Sequence, residues 1–171
     1  MRVGIGYDAH QFAAGRPLVL GGVLVDYPLG LLGYSDADVC LHALSDAILG
    51  AAALGDLGAH FPAGDPRYLG ASSADLLGQV VALVAEQGYR VGNCDVTIVA
   101  QRPRLGPQVP AMRERIAAIL GVSPGQVSVK ATTTDHLGFA GRLEGIAAMA
   151  VAMLESLDAP REIGPRATLP S

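Results

Sequence analysis

Apolar positions recur with two different periods along the chain, and these periods predict its elements. Residues 2–10 alternate apolar with small or polar side chains, which is typical of a strand, and the polar end of this strand carries Asp8 and His10. Apolar triplets at 18–20 and 23–25 flank a Gly-Gly pair, which predicts a β-hairpin. Two further strands are predicted over 90–100 and 126–133, where β-branched residues are frequent.

Three longer segments have helical character. The spacing of Ser35 and Asp38 is that of a capping box, so we expect a helix from Ser35 to about Leu54, ended by Gly55. Asp36 is interpreted as part of the same helix cap. The other two helices are expected from 72 or 73 to about 87, and from 107 or 110 to 121.

The order of these elements predicts an α/β sandwich whose helices lie on one face of the sheet. The other face then needs cover as well, which a subunit interface between apolar strands would supply. Segment 146–157 has two interpretations, because its Ala and Met residues favour a helix while its unbroken apolarity suits a buried strand. The last dozen residues contain three prolines and are expected to form a loose tail.

Composition narrows the possible functions. The 171 residues are 50% hydrophobic and 16% charged, with a net charge of −4, which excludes disorder for most of the chain and argues against nucleic-acid binding. We find neither a run of about 18 apolar residues nor a signal-peptide pattern, and therefore expect a cytoplasmic protein without a membrane span. Because charged residues are scarce, part of the surface is expected to be covered in an oligomer. Cys40 and Cys94 are expected to be buried thiols.

Asp8 and His10 point to one side of their strand, because residues i and i+2 of a strand share a face. His42, on the first predicted helix, is the best candidate for a third metal ligand. Two imidazoles and one carboxylate leave an open coordination position, as in catalytic zinc or ferrous iron sites. Equally, Asp8 could end the strand and His42 could be a hydrogen-bonded core histidine. Asp38, four residues before His42, and Asp46, one turn after it, could support its ring.

Residues 130–135 combine the only lysine of the chain with three threonine hydroxyls and a carboxylate at the end of a strand. Such groups bind phosphate, and Asp135 could hold Mg²⁺ between two phosphates, although threonine is also an ordinary strand residue. The loop at 100–107 precedes a helix and could contact a nucleotide. In a glycine-punctuated loop, Arg142 could pair with Glu144 or meet an anion.

Three motifs occur in order and with intact spacing: GIGYDAHQF, GYSDADVCLHALSDAILGAAALGDLGAHFP and VKATTTDHLGFAGRLEGIA. Together they resemble the 2-C-methyl-D-erythritol 2,4-cyclodiphosphate synthases of the non-mevalonate isoprenoid pathway over residues 1–157. The resemblance implies one catalytic domain at 1–157 and a C-terminal tail at 158–171. It also implies a mixed four-stranded sheet with helices on one face, three such sheets packed around the axis of a homotrimer, and a strand at 146–157.

The implied reaction converts 4-diphosphocytidyl-2-C-methyl-D-erythritol 2-phosphate to 2-C-methyl-D-erythritol 2,4-cyclodiphosphate and CMP, in active sites between subunits. Positioning and charge neutralisation carry a phosphoryl transfer of this kind. The resemblance assigns one Zn²⁺ per subunit to Asp8, His10 and His42. It assigns Mg²⁺ or Mn²⁺ on the substrate diphosphate to Asp135, and contact with the transferred phosphoryl group to Thr133.

The resemblance also implies a set of substrate-binding residues. Phosphate and the erythritol pocket are assigned to Ser35, Asp56, Gly58 and Phe61. The cytidine pocket of the neighbouring subunit is assigned to Ala100, Pro103, Leu105, Ala131 and Thr132. Phe139 and Arg142 are implied to face the trimer axis, where a central cavity could hold an isoprenoid diphosphate.

Three positions depart from the usual family pattern. Tyr34 stands where a histidine usually helps to stabilise the transition state, and a phenol donates a hydrogen bond but carries no positive charge. Asp135 replaces a glutamate, and Ala63 replaces an aspartate near the substrate. The alternative function is a non-catalytic trimeric protein that binds isoprenoid or nucleotide diphosphates. Neither nucleic acid nor a membrane is an expected partner.

Overall fold

Two elements, one strand and one helix, position the candidate site, and the other elements pack around them. The computed structural model describes residues 1–158. The strands are β1 (Arg2–Ala13), β2 (Leu18–Leu20), β3 (Val23–Val25), β4 (Gly30–Leu31), β5 (Tyr89–Val99), β6 (Val127–Thr132) and β7 (Gly145–Ser156). The helices are α1 (Val39–Ala52), α2 (Leu57–His60), α3 (Ser73–Glu86), α4 (Val109–Leu120) and α5 (Gly138–Gly141). Short 3₁₀ turns lie at Pro66–Tyr68, Gly106–Gln108 and Pro124–Gln126.

The main sheet is mixed and has the strand order β4-β1-β7-β5-β6. Strand β7 is antiparallel to both of its neighbours, β1 and β5, while β5 and β6 run parallel. The four long strands match the predicted four-stranded sheet. The fifth strand, β4, pairs with β1 through two residues only, too few to leave a periodic pattern in the sequence. Strands β2 and β3 form a separate antiparallel hairpin, as predicted.

Two glycines on β1 allow helix α1 to lie against the sheet backbone. A Cβ atom added to Gly4 would overlap the carbonyl oxygen of Ala47, and one added to Gly6 would overlap the carbonyl oxygen of Ala43. The Gly4-x-Gly6 pattern is therefore required by close helix–strand packing. Because the side-chain period of a strand is two, the next residues on this face of β1 are Asp8 and His10.

The two faces of the sheet have different surroundings. Helix α1 contacts β1, β7 and β5, and its buried side chains form the centre of the core. The opposite face of the sheet lacks cover within the described residues. Apolar side chains on this face remain exposed: Val3 (68%), Ile5 (73%), Tyr7 (56%), Met149 (45%) and Val151 (44%). We call these five residues the bare face.

The start of α1 corrects the predicted capping box. The helix begins at Val39, and its N-cap is Asp38 rather than Ser35. The Asp38 carboxylate accepts hydrogen bonds from the amides of Cys40 and Leu41, whereas the Ser35 hydroxyl accepts one from the amide of Ala37. The sequence spacing matched the motif, but the backbone at 35–38 is an irregular turn.

Segment 146–157 is resolved as a strand, since β7 covers most of it and lies at the centre of the sheet. The loop predicted at 134–145 contains the single-turn helix α5. The predicted tail at 158–171 lies outside the described residues except for Asp158. Among the helices of residues 1–158, none combines the length and apolarity required to cross a bilayer.

Candidate active site

Asp8, His10 and His42 come together where the end of β1 meets the first turns of α1. Asp8 Oδ2 lies 2.9 Å from His10 Nε2 and 3.0 Å from His42 Nδ1, and the two nitrogen atoms are 3.1 Å apart. The three side chains are partly exposed, at 25%, 19% and 13%. This cluster is therefore open to solvent on one side.

The donor set fits a divalent metal ion. A tetrahedral ion with bonds of about 2.0–2.1 Å separates its ligands by roughly 3.3 Å, so the three atoms need to move apart by only a few tenths of an ångström. His10 Nδ1 donates to the carbonyl oxygen of Leu32 at 2.7 Å, which leaves the Nε2 lone pair directed into the cluster. Two imidazoles and a carboxylate suit zinc or ferrous iron.

Electrostatics within the cluster favour an ionised carboxylate. Burial opposes ionisation of Asp8, but the hydrogen bonds and charges of His10 and His42 outweigh burial and hold its pKa well below the usual range. Burial lowers the pKa of His10, but the hydrogen bond and the charge of Asp8 outweigh burial and raise this pKa above its ordinary value. Asp8 is therefore ready to bind a cation, and a proton on His10 is the competitor that a metal ion displaces.

The outer edge of the His42 ring contacts two serines. His42 Nε2 lies 2.9 Å from Ser73 Oγ and 3.2 Å from Ser35 Oγ. Ser73 Oγ in turn donates to the carboxylate of Asp36. From the sequence, Asp36 was expected only to cap a helix and Ser73 only to begin one. Ser73 lies 37 positions after Asp36 and 31 positions after His42, and contacts over such distances along the chain leave no local pattern.

The carboxylates of Asp38 and Asp46 bond to backbone amides rather than to the His42 ring, which Asp38 supports only through its carbonyl oxygen, the acceptor of the His42 amide at 3.0 Å. The Asp38 carboxylate accepts bonds from four backbone amides, two of them in the β2–β3 hairpin at Gly21 and Gly22. The Asp46 carboxylate accepts the amide of Leu57 at 2.7 Å. Burial, with the nearby charges of Asp56 and Asp8, raises the pKa of Asp46. Both carboxylates position backbone segments around the cluster.

The predicted erythritol residues occupy one turn after α1. Asp56 caps α2 by accepting the amide of Ala59 at 2.8 Å, and Gly58 lies in the same short helix. The Phe61 ring packs edge-on against Tyr68, with ring centroids 5.3 Å apart. Asp46 joins this turn to α1 through its bond with Leu57.

The predicted nucleotide and phosphate residues gather at the ends of the parallel strands β5 and β6. The amide of Ala100 donates to the carbonyl oxygen of Thr132 at 2.9 Å, which joins the two strand ends. Thr133 Oγ1 donates to Asp135 Oδ1 at 3.1 Å, and both side chains are exposed. Pro103 is half-buried, and Leu105 is 3% exposed, so the Leu105 side chain belongs to the core.

Two charged residues of the predicted phosphate loops form ion pairs. Lys130 Nζ contacts the Asp95 carboxylate on the bare-face side of the sheet, so it does not point toward the Thr133 loop. Arg142 donates to Glu144 through Nε at 2.8 Å and Nη2 at 3.2 Å, which is the pairing considered from the sequence. Phe139 lines an open depression together with His10 and Gly145.

The cluster and the phosphate loop lie at the same end of the sheet but on different strands. Val99 pairs with Ala147, and Ala147 pairs with Ala9, so the register aligns the end of β5 with the Asp8–His10 stretch of β1. Three strand spacings separate β1 from β6, which is roughly 14 Å at about 4.8 Å each. Within one chain, strands β7 and β5 therefore lie between the strands that lead to the two halves of the candidate site.

Comparisons with known proteins assign the chain to a family. A family model described as the YgbB family matches residues 1–155. The chain belongs to this family. The 2-C-methyl-D-erythritol 2,4-cyclodiphosphate synthase of Symbiobacterium thermophilum is 63% identical over 154 residues, which cover 90% of this chain and 98% of that protein.

Solved structures of the YgbB family share the fold. A 2C-methyl-D-erythritol-2,4-cyclodiphosphate synthase in a CDP-bound form has a TM-score of 0.83 and 34% identity, covering 90% of this chain and 100% of its own. The bifunctional IspDF of Campylobacter jejuni has a TM-score of 0.87 and 42% identity, covering 91% of this chain and 42% of its own. The predicted family and enzyme class are confirmed, and the non-catalytic alternative is not favoured.

Proposed function

We propose that the chain converts 4-diphosphocytidyl-2-C-methyl-D-erythritol 2-phosphate to 2-C-methyl-D-erythritol 2,4-cyclodiphosphate with release of CMP. The observation that carries the proposal is the open cluster of Asp8, His10 and His42, in a family whose relatives bear the name of this activity. An oxygen of the 2-phosphate forms a bond to the sugar-side phosphorus of the diphosphate, and the bond from that phosphorus to the oxygen of CMP breaks.

The residues of the cluster would hold Zn²⁺ through the two imidazole nitrogens and the carboxylate. A bound metal ion of this kind polarises a phosphate oxygen at its open position and offsets its charge. Ser35, whose Oγ accepts the amide of Ala37, would donate its hydroxyl proton to a phosphate oxygen. Asp56, Gly58 and Phe61 would bind the erythritol part of the substrate on the neighbouring turn.

The phosphate loop would hold the other side of the diphosphate. Asp135 is exposed and would bind Mg²⁺ or Mn²⁺ on the diphosphate, and the Thr133 hydroxyl would contact the transferred phosphoryl group. The cytidine would be bound by Ala100, Pro103, Leu105, Ala131 and Thr132. A solved relative in a CDP-bound form supports a cytidine nucleotide as the ligand.

We propose that these two halves meet across subunits of a homotrimer. The bare face is an apolar surface of the kind that oligomers cover. The separation of about 14 Å between β1 and β6 also supports a second chain as the source of the phosphate loop that would meet the metal cluster. The number three follows from the family resemblance.

Three further expectations remain proposals. Phe139 and Arg142 would border a central cavity for an isoprenoid diphosphate, with Arg142 held by Glu144. Tyr34 would donate a hydrogen bond at the catalytic position. The proposed compartment is the cytoplasm, with which two unpaired cysteines are consistent.

The experiment that tests the function measures CMP release. Purified protein, loaded with Zn²⁺ and supplied with Mg²⁺ and substrate, is expected to release CMP and form one equivalent of the cyclic diphosphate, measured by chromatography and mass spectrometry. His42→Ala is expected to abolish turnover while the oligomer persists. Absence of CMP release from metal-loaded protein would overturn the proposal.

A further inference from the structure

The His42 imidazole has both of its nitrogens engaged. Its Nδ1 faces Asp8 and His10, and its Nε2 faces Ser73 Oγ at 2.9 Å. A metal ion takes the lone pair of Nδ1, so the ring proton must sit on Nε2. His42 therefore donates this proton to an oxygen, and Ser73 Oγ is the nearer of the two serine oxygens.

The Ser73 hydroxyl can accept the hydrogen bond from His42 only if its own proton points to another acceptor. Asp36 is that acceptor. Ser73 Oγ contacts Asp36 Oδ1, while the Ser73 amide donates to Asp36 Oδ2 at 3.0 Å. Asp36 Oδ1 also accepts the amide of Asp38 at 3.2 Å. The carboxylate is thus held by backbone donors, and the hydroxyl that it orients is 1% exposed.

This chain of bonds joins three separate segments. Asp36 lies before α1, His42 lies within α1, and Ser73 is the first residue of α3. A serine at a helix start commonly caps the helix, but the N-cap of α3 is Ser72, whose hydroxyl makes no capping bond. The Ser73 hydroxyl is directed to His42 and Asp36.

We propose that Ser73 and Asp36 are positioning residues that fix the ring orientation and proton position of His42 and so raise the metal affinity of the Asp8, His10 and His42 cluster. The inference rests on the proposed metal site. It also separates the roles of two neighbouring hydroxyls. Because Ser73 takes the His42 proton, Ser35, whose Oγ lies 3.5 Å from Ser73 Oγ, keeps its own proton for a phosphate oxygen.

The test measures metal binding without substrate. Wild type, Ser73→Ala and Asp36→Asn are titrated with Zn²⁺ against a chromophoric chelator. Loss of a hydrogen-bond partner of a ligand histidine typically weakens metal affinity by about 10–100-fold, and we expect this for both variants. Ser73→Thr, which keeps the hydroxyl, is expected to restore most of the affinity, and Ser72→Ala is the matched control with wild-type affinity.

Two further measurements separate positioning from general destabilisation. The visible absorption spectrum of the Co²⁺-loaded protein is expected to change in Ser73→Ala and not in Ser72→Ala. The double variant Ser73→Ala/Asp36→Asn is expected to lose little more affinity than either single variant, because both act through one ring. Since Asp36→Asn keeps the size of the side chain, it tests the inference even if Ser73→Ala unfolds.

Two opposite results have different meanings. Wild-type Zn²⁺ affinity in both Ser73→Ala and Asp36→Asn would overturn the positioning role while leaving the metal site intact. Equal Zn²⁺ affinity in wild type and His42→Ala would instead overturn the proposed metal site, and the positioning role with it.

Discussion

Arg16 Nη1 donates to the carbonyl oxygen of Gly33 at 2.7 Å, and the Nη2 of the same guanidinium donates to the carbonyl oxygen of Ser35. The two bonds bracket Tyr34, whose own carbonyl oxygen accepts the amide of Gly70 at 2.8 Å. The irregular segment at 32–35, which contacts His10 and His42, is therefore held from two sides by hydrogen bonds. We expect its conformation to depend on Arg16.

Replacing Arg16 tests this dependence. Arg16→Ala removes two charge-assisted hydrogen bonds, each of which contributes about 1.5–3 kcal/mol. The substitution is expected to lower both the free energy of unfolding and the turnover. Arg16→Lys is expected to rescue turnover only partly, because an ammonium lacks the planar fork that spans two carbonyls. Urea unfolding and CMP-release kinetics measure the two effects. Arg2→Ala, at the far end of β1, serves as the control, and equal behaviour of the Arg16 and Arg2 variants would contradict the role.

The close approach of β1 and α1 predicts a pair of opposite glycine effects. Gly6→Ala introduces a methyl group 2.7 Å from the amide nitrogen of Ala47, which forces α1 away from the sheet. We expect a loss of about 1–3 kcal/mol of unfolding free energy and weaker metal binding, because His42 moves with the helix. Gly50→Ala, where the nearest atom is 4.0 Å away, is expected to be neutral or to gain roughly 0.5–1 kcal/mol. Thermal unfolding measures the stability of both variants, and equal losses of stability would contradict the close packing of α1 on β1.

Tyr34 offers a test of charge at the catalytic position. An imidazole can carry a positive charge next to a phosphoryl group and a phenol cannot, so Tyr34→His is expected to maintain or raise kcat for CMP release. Tyr34→Phe is expected to lower kcat because the hydroxyl donor is lost. A large loss of kcat in Tyr34→His would show that the phenol has a role of its own.

The bare face predicts a charge-sensitive assembly. Ile5→Lys places an ammonium at the centre of this surface and is expected to shift the protein from trimer to monomer in sedimentation equilibrium. CMP release is expected to fall with assembly, because the proposed site takes its phosphate loop from a second subunit. Leu24→Lys is the matched control, because Leu24 is similarly exposed at 68% on the hairpin. A monomeric wild type with full activity would contradict the shared site.

Cys40 and Cys94 are expected to react slowly in the native protein, because their thiols stay protonated. Burial, together with the charge of Asp95, raises the pKa of Cys94 to about 12, and burial raises the pKa of Cys40 well above its ordinary value. A raised pKa reduces the thiolate fraction, to about 10⁻⁴ near pH 8 for Cys94. Native protein is expected to resist thiol-disulfide reagents, and denaturant to expose two fast-reacting thiols, counted by absorbance. Fast labelling of native protein would contradict the assignment.

Sequence periodicity was informative where a regular element carries the chemistry. Alternation along β1 placed Asp8 and His10 on one face, because the period of a strand leaves no other choice. The same pattern did not explain Gly4 and Gly6, whose reason is the backbone of a helix more than 30 residues away. Local spacing misplaced the N-cap at Ser35, since amides of the distant hairpin also bind Asp38.

Ser73 and Asp36 illustrate what local pattern cannot contain. Each has a common explanation at a helix start, and the contacts from Asp36 to Ser73 and from Ser73 to His42 arise only when α3 packs beside α1. The separation between the metal cluster and the phosphate loop also leaves no local pattern, because it depends on the order of the strands in the sheet and not on their order along the chain. The fold class and the grouping of Asp8, His10 and His42 were therefore predictable, while the hydrogen-bond partners of the His42 ring were not.

The two halves of the site differ in the kind of backbone that carries them. Asp8, His10 and His42 stand on a strand and a helix, whereas Thr133, Asp135 and Pro103 stand on loops. Side chains on regular elements are held more tightly than those on loops. A protein engineer who wished to change the nucleotide that the proposed site accepts could alter the 100–106 and 133–137 loops and leave the Asp8, His10 and His42 cluster, with the strand and helix that support it, unchanged.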